Sequence, residues 1–247
     1  MDKALFIAMS GAKQNMLAQR AHANNLANVN TTAFKEDFAQ ARSMPLYGEG
    51  HATRAYSMTE NPGTNFESGP LNQTGNSLDI AVKGEGWIAV ETENGEEAYT
   101  RAGDLKVDIN GQLRTGRGSP VMGNGGPIVL PPAATIEIGA DGTISVLPLG
   151  AAGVGLAQVD RIKFVNPPSA DLEKREDGLL HIKEGADAPQ ADANIRVEQG
   201  FLEGSNVNAV SSLTDILSLS RQYELQVKLM TKANELSQST ARLLQFS

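Results

Sequence analysis

The sequence predicts an α+β fold: an antiparallel, β-rich central domain carried between N- and C-terminal α-helices that form a coiled-coil-like domain. Three observations predict it. All 11 Pro lie between Pro45 and Pro189, and Gly, apart from Gly11, is confined to the span from Gly48 to Gly204. The helix breakers therefore occupy the middle and spare both ends. Both ends repeat apolar residues at alternating spacings of four and three, whereas the middle alternates at period two between Asn-Gly and Asp-Gly turns. Charge divides the same way: residues 1–34 carry +2 and residues 207–247 carry +1, which leaves −11 in the middle of a 247-residue chain of net charge −8. The expected organisation is an N-terminal helix within 1–34, an extended connecting arm over 35–75, a β-rich domain over 76–206 and a C-terminal helix over 207–247.

In the N-terminal segment, Leu5, Met9, Ala12, Met16, Gln19, Ala23 and Leu26 form a heptad seam, expected to pack against another helix. Lys3 followed by Ala4 to Met9 and then Ser10-Gly11-Ala12 imitates a short signal peptide. Asp2 weakens its basic end, and the apolar period runs on past the apparent cleavage site, so the segment reads as the start of a mature helix. The Asn-rich run from Asn24 to Asn30 is where it stops, because Asn tolerates the left-handed geometry that ends helices. Residues 35–75 show little periodicity, and an unstructured connection of that length is expected to be extended and bound to something.

The central strands announce themselves by their turns. Asn94-Gly95 joins Gly86–Glu91 to Glu97–Thr100, Asn110-Gly111 joins Leu105–Asp108 to Gln112–Arg114, and Asp141-Gly142 joins Ile136–Ile138 to Thr143–Val146. Leu78–Val82 reads as the first core strand and Arg161–Val165 as a late one. The C-terminal segment sets Ala209, Leu213, Ile216, Ser220, Tyr223, Val227, Met230, Asn234, Ser237, Ala241 and Leu244 on the same four-three spacing, with Asn206 or Asn208 as N-cap. A second apolar row, Leu225, Leu229, Leu236 and Leu243, lies on another side of this helix. A helix apolar on two sides is expected to be buried on two sides. The terminal helices are therefore expected to be marginal in the free monomer and ordered by other copies; the alternative is a two-helix hairpin closed within one chain.

Composition excludes much chemistry. There is no Cys, hence no disulfide, Cys-ligated metal or thiol nucleophile. The acidic balance argues against a nucleic-acid or anionic-membrane surface. His22, His51 and His181 sit in three separate regions without ligand spacing, and no phosphate-binding glycine loop, nucleophile elbow or zinc-protease helix occurs. Gly123-Asn124-Gly125-Gly126 and Asp108-Ile109-Asn110-Gly111 read as turns, and Trp87 as core. No enzyme, cofactor, metal or small-molecule substrate is expected.

Several segments carry a resemblance. Ala23-Asn24-Asn25-Leu26-Ala27-Asn28-Val29-Asn30-Thr31-Thr32-Ala33-Phe34-Lys35 resembles the N-terminal signature of the bacterial flagellar axial proteins, the rod, hook and hook-junction subunits. Leu78–Val82, Gly86-Trp87 and Tyr99-Thr100-Arg101-Ala102-Gly103 resemble the core of the rod and hook group, and Gly204-Ser205-Asn206-Val207 with Arg221-Gln222-Tyr223-Glu224 its C-terminal signature. The compact length, the Asp141–Ser145 turn and the Leu243–Ser247 ending look most like a proximal-rod subunit, with a distal-rod subunit as the alternative. Ala33 stands where Gly is common and Ser220 where Gln is common, each able to alter a local turn or contact.

The resemblance implies a structural subunit that stacks helically into a torque-transmitting shaft across the periplasm. Terminal helices would form the inner tube and the β domain would lie outside. The implied partners are other rod proteins, copies of the same chain and, during secretion without a cleaved signal, the flagellar type III export apparatus. The implied subunit interface comprises Leu5, Met9, Met16, Asn24, Asn25, Leu26, Asn28, Leu213, Ile216, Tyr223, Leu225, Val227, Leu229, Met230, Leu236, Leu243 and Leu244. Two readings from other classes stand beside it: a β adhesin on a coiled-coil stalk, and a wall-cleaving hydrolase whose activity would survive in an isolated 76–200 core.

Overall fold

A computed structural model describes residues 4–38, 41–45, 55–59, 63–148 and 155–245. Helix α1 (Ala4–Ala27) is followed by short strands β1 (Asp37–Phe38), β2 (Ala41–Pro45), β3 (Ala55–Thr59), β4 (Gly63–Thr64) and β5 (Leu71–Gln73). Then come β6 (Ile80–Lys83), β7 (Trp87–Glu91), β8 (Glu97–Thr100), β9 (Leu105–Val107), β10 (Leu113–Thr115), β11 (Ala133–Ile138), β12 (Thr143–Pro148) and β13 (Ala157–Arg161). The chain ends with β14 (Phe164–Val165), β15 (Leu172–Lys174), β16 (Leu180–Ile182), β17 (Arg196–Gln199), β18 (Phe201–Glu203) and the long helix α2 (Ala209–Gln245). Every described strand pairing is antiparallel, so the fold is α+β.

The chain divides into two compact units, one of residues 1–29, 36–65 and 207–247, the other of residues 30–35 and 66–206. In the first, α1 and α2 pack along one another, α1 also meets β1 and β3, and β1–β4 and β2–β3 pair. Asn25 explains how α1 is joined to β1. Its side-chain amide donates to the Asp37 carbonyl (2.9 Å) and its Oδ1 accepts from the Asp37 N–H (3.0 Å), copying a strand partner at a buried position. Asn28 closes the helix by donating from its side chain to the Asn24 carbonyl and Oδ1. The stop thus comes from side-chain capping. No described Asn has a positive φ, and the left-handed residue is Ala33 (φ 55°). Asn208 is the N-cap of α2, its Oδ1 accepting from the N–H groups of Val210 and Ser211.

The second unit holds the hydrophobic core. A five-stranded sheet runs β14-β7-β8-β16-β15, beside a three-stranded sheet β11-β12-β13 and the pairs β9–β10, β6–β17 and β5–β18. Strand β7 is buried on both faces: Ile88 and Val90 join a core with Leu105, Leu113, Ile128, Ile144 and Phe164, while Trp87 and Ala89 join Tyr99, Val165, Leu172 and Leu180 on the other side. That accounts for its unbroken apolar run. The three hairpins at Asn94-Gly95, Asn110-Gly111 and Asp141-Gly142 are present. Asp108 organises the second, accepting from the N–H groups of Asn110 and Gln112 and from Arg114.

One strand expectation is corrected. Arg161–Val165 is not a single strand: Arg161 ends β13, paired with β12, and Phe164–Val165 form β14, paired with β7. Ile162 is buried at the point where the chain changes sheets. Gly103 allows another close approach, because a Cβ there would lie 1.8 Å from the Ile80 carbonyl oxygen.

Candidate functional site

Two features stand out, one in each unit. In the β-rich unit a buried ion cluster gathers three of the sequence signatures. Glu203, at the end of β18, is 1% exposed, and Lys35 and Arg101 are 4% exposed. Glu203 Oε1 accepts from Lys35 Nζ (2.7 Å) and from the Gly69 N–H (3.0 Å), and Oε2 accepts from Arg101 Nη1 (3.0 Å). Arg101 spends its other donors on the Gly86 carbonyl, the Ser68 hydroxyl and the Gly84 carbonyl, and Lys35 reaches the Glu67 carbonyl. Trp87 lies between them, its ring centroid 5.0 Å from Arg101 Cζ and 5.7 Å from Lys35 Nζ, with Phe66 edge-on at 5.8 Å.

Burial lowers the Lys35 pKa below the ordinary lysine value, and its hydrogen bond to Glu203 resists that fall. The neighbouring residues close the leg down: Ala33 N–H donates to the Glu203 carbonyl, and Lys174 stands 3.9 Å over the Phe34 ring while donating to the Lys35 carbonyl. Lys35, Arg101 and Glu203 are all paired, and the pocket beside them, lined by Phe34, Lys35, Trp87 and Lys174 among others, has a volume of only about 20 Å³. The arrangement fastens residues 30–35, the Arg101 loop and β18 to one another.

In the helical unit the feature is an apolar face without cover. Of the predicted seam, Ala12 is buried and Gln19 and Leu26 are half-buried; the other covered positions of α1 include the row Gly11, Gln14, Ala18, Ala21 and Asn25. The predicted Leu5, Met9 and Met16 row stands roughly 180° round from it at 100° per residue and is exposed. On α2 the corresponding row is Ser212, Ile216, Leu219, Gln226, Met230, Ala233 and Ser237, with Tyr223 at its margin. Of the predicted seam, Ala209, Ile216, Ser220, Met230 and Ser237 are half-buried, whereas Leu213, Tyr223, Val227 and Asn234 are exposed. Gly11, Ala18 and Ala21 put small residues on the covered α1 row, and a Cβ at Gly11 would meet only the movable end of the Gln226 side chain, 2.7 Å from its Nε2.

The same seam is short of hydrogen bonds. Asn15 Nδ2, His22 Nδ1, Ser212 Oγ and Gln226 Oε1 are buried without a partner among the described residues. Outside it, Leu5, Phe6, Met9, Met16 and Leu17 of α1 and Val210, Leu213, Leu217, Tyr223, Leu225, Val227, Leu229 and Leu236 of α2 are 37 to 73% exposed. Thirteen large apolar side chains exposed on two paired helices are more than the scattered few that need no explanation on a monomer.

Of the predicted interface residues, Asn24 is exposed as well, Leu26, Asn28, Ile216 and Met230 are half-buried, and Asn25 is buried on Asp37. Leu243 and Leu244 lie in the last turn of α2, their side chains outside the described residues, as does His51. His181 is buried and bonded to Asp177 (2.8 Å). Among the described residues no group of three His, Asp or Glu is placed to hold a metal. Sequence reasoning missed Glu203 altogether. Its one visible sign was its position immediately before the Gly204 signature.

Comparison with known proteins places these features in a family. Residues 5–35 match the model of the flagella basal body rod protein, residues 81–146 that of the flagellar hook protein FlgE/F/G D1 domain, and residues 198–243 that of the flagellar basal body rod FlgEFG protein C-terminal region. The chain is 37% identical over 252 aligned positions, covering all of both chains, to the flagellar basal-body rod protein FlgF of Escherichia coli strain K12. It is 38% identical, again over the full length of both, to FlgF of Salmonella typhimurium strain LT2. To the flagellar basal-body rod protein FlgG of Agrobacterium fabrum it is 31% identical over 98% of this chain and 99% of the relative.

Proposed function

The chain belongs to the flagellar basal-body rod protein family, and from that premise we propose how its two units serve the rod. It is a structural subunit of the flagellar basal body, not an enzyme, and it assembles with other rod proteins. In our reading it sits in the proximal rod and stacks helically with copies of itself and with neighbouring axial proteins into a shaft that crosses the periplasm and transmits torque. Export through the flagellar type III apparatus, without a cleaved signal, brings it there. The helical unit acts as a coiled-coil-like element of the inner tube.

The observation that carries this reading is the apolar face of α1 and α2, because water-exposed Leu and Met rows of that extent call for protein cover. An open helical stack supplies heterologous contacts on two different sides of each subunit, which suits helices apolar on more than one side. Residues 35–75, whose described parts form β1 to β5, serve as an arm against neighbouring subunits. The ion cluster keeps the legs of the β-rich unit stiff under torsional load.

The experiment is charge insertion on the uncovered row. Leu229→Asp and Leu236→Asp each place an unpaired charge in the proposed dry contact. Secretion and the melting of the β-rich unit are expected to stay unchanged, while rods no longer form and swimming is lost. Normal swimming in both variants overturns the proposal.

A further inference from the structure

We propose that two exposed methionine pairs, Met9 with Met16 and Met44 with Met58, put assembly under oxidative control: a peroxide converts their thioethers to sulfoxides and thereby blocks assembly without unfolding the β-rich unit. The inference rests on the assembly reading above and adds a chemical control to its surface.

The chain has seven Met and no Cys, so thioethers are its sulfur chemistry. Met9, Met16, Met44 and Met58 are 49 to 58% exposed, whereas Met122 and Met230 are half-buried. Trp87 and Tyr99, the other oxidisable side chains nearest the core, are buried. Among the described methionines, a peroxide therefore meets these four sulfurs first.

Their placement is not scattered. All four lie in the helical unit. Met9 and Met16 are seven residues apart on α1 and both exposed. In the β2–β3 ribbon, Arg42 pairs with Met58 and Met44 with Tyr56, which puts Met44 and Met58 on one face. Met is an adaptable apolar side chain suited to irregular contacts, and none of the four contributes to the buried core clusters.

The chemistry balances within the thioether and the oxidant. A sulfur lone pair attacks the peroxide O–O bond, an S–O bond forms as O–O breaks, and sulfur loses two electrons. The departing oxygen takes up the proton of the hydroxyl transferred to sulfur and leaves as water, or as an alcohol from an organic hydroperoxide, which leaves a neutral sulfoxide. The sulfoxide oxygen is a strong acceptor, and an apolar contact offers it no donor. Contact surface is lost while the fold, which does not use these side chains, is kept.

The test combines mapping with two sets of substitutions. On the purified full chain, hydrogen peroxide is expected to oxidise Met9, Met16, Met44 and Met58 at least tenfold faster than Met122 and Met230, read by peptide mass. Replacing all four with Gln, a polar stand-in for sulfoxide, is expected to abolish swimming in cells relying on this chain, with the melt of the β-rich unit unchanged. Replacing all four with Leu is expected to keep swimming and to sustain rod building under peroxide that lowers it severalfold in the parent. Equal oxidation rates at all six sites, normal swimming of the Gln variant, or equal peroxide loss in parent and Leu variant overturns the inference. If Leu229→Asp still blocks assembly in that case, the inference alone falls; if Leu229→Asp also swims, the assembly reading falls with it.

Discussion

Ala33 is the residue at which local preference and the fold disagree. Its φ of 55° is a conformation that costs an L-residue about 1–2 kcal/mol. It is held there because its N–H donates to the Glu203 carbonyl, while Phe34 and Lys35 beyond it are buried. Ala33→Gly removes the Cβ clash but adds freedom to the unfolded chain, worth about 0.4–1 kcal/mol in the other direction. The expected net effect is a stabilisation of about 0.5 kcal/mol, seen as a small rise in the urea midpoint. A fall in the midpoint would show that the surroundings relieve the strain.

At the scale of elements, Glu203 joins three pieces of chain that are far apart in sequence: the leg at Lys35, the loop at Arg101 and strand β18. Glu203→Gln keeps the shape but leaves two buried cations without an anion, and breaking such a pair costs about 3–5 kcal/mol. Chemical unfolding of the β-rich unit measures that loss. Lys35 adds a pH signature. Its folded pKa lies below the unfolded 10.5 because of burial, so the folded state binds fewer protons between those two values and stability rises with pH across that window. Removing Glu203 also removes the bond that held this pKa up, so the window widens downward. The variant is therefore expected to recover more stability than the parent when raised from neutral to mildly alkaline pH; an identical pH response in both would count against the pairing. The helical elements show the opposite economy, burying small and partly unsatisfied polar groups between them and leaving their large apolar side chains outside.

The whole molecule sets apolar helix faces against a strong negative charge. With a net charge of −8 and a pI near 5.0, repulsion between copies opposes contact at neutral pH and vanishes near pH 5. Self-association of the purified chain, followed by light scattering in low salt, is expected to peak near pH 5. The β hairpins remain intact there. The Thr143 hydroxyl bond to Asp141 and the Gln112 N–H bond to Asp108 hold both carboxyls below the ordinary value of 3.8. Their stabilising contribution is present above 3.8 and is lost only as pH falls through the lower folded values. Asp104, raised by burial, acts with the opposite sign. Association peaking only where the hairpins unfold would point to denaturation instead.

What the sequence determined by itself was everything carried by local pattern. The helices follow from spacing and from the absence of Pro and Gly. The hairpins follow from Asn-Gly and Asp-Gly, and the family follows from contiguous signatures such as Asn24–Lys35. What only the tertiary structure decided was which of several possible faces the helices use and which distant charges meet. A four-three repeat on a helix permits more than one seam, and in the fold the row of Gly11, Gln14, Ala18, Ala21 and Asn25 is covered while Leu5, Met9 and Met16 are exposed. Arg161–Val165 reads as one strand because its pattern is continuous, yet the chain changes sheets at Ile162. The meeting of Lys35, Arg101 and Glu203 leaves no periodic trace, since a buried ion pair depends on partners separated by many residues and on burial that no local window records.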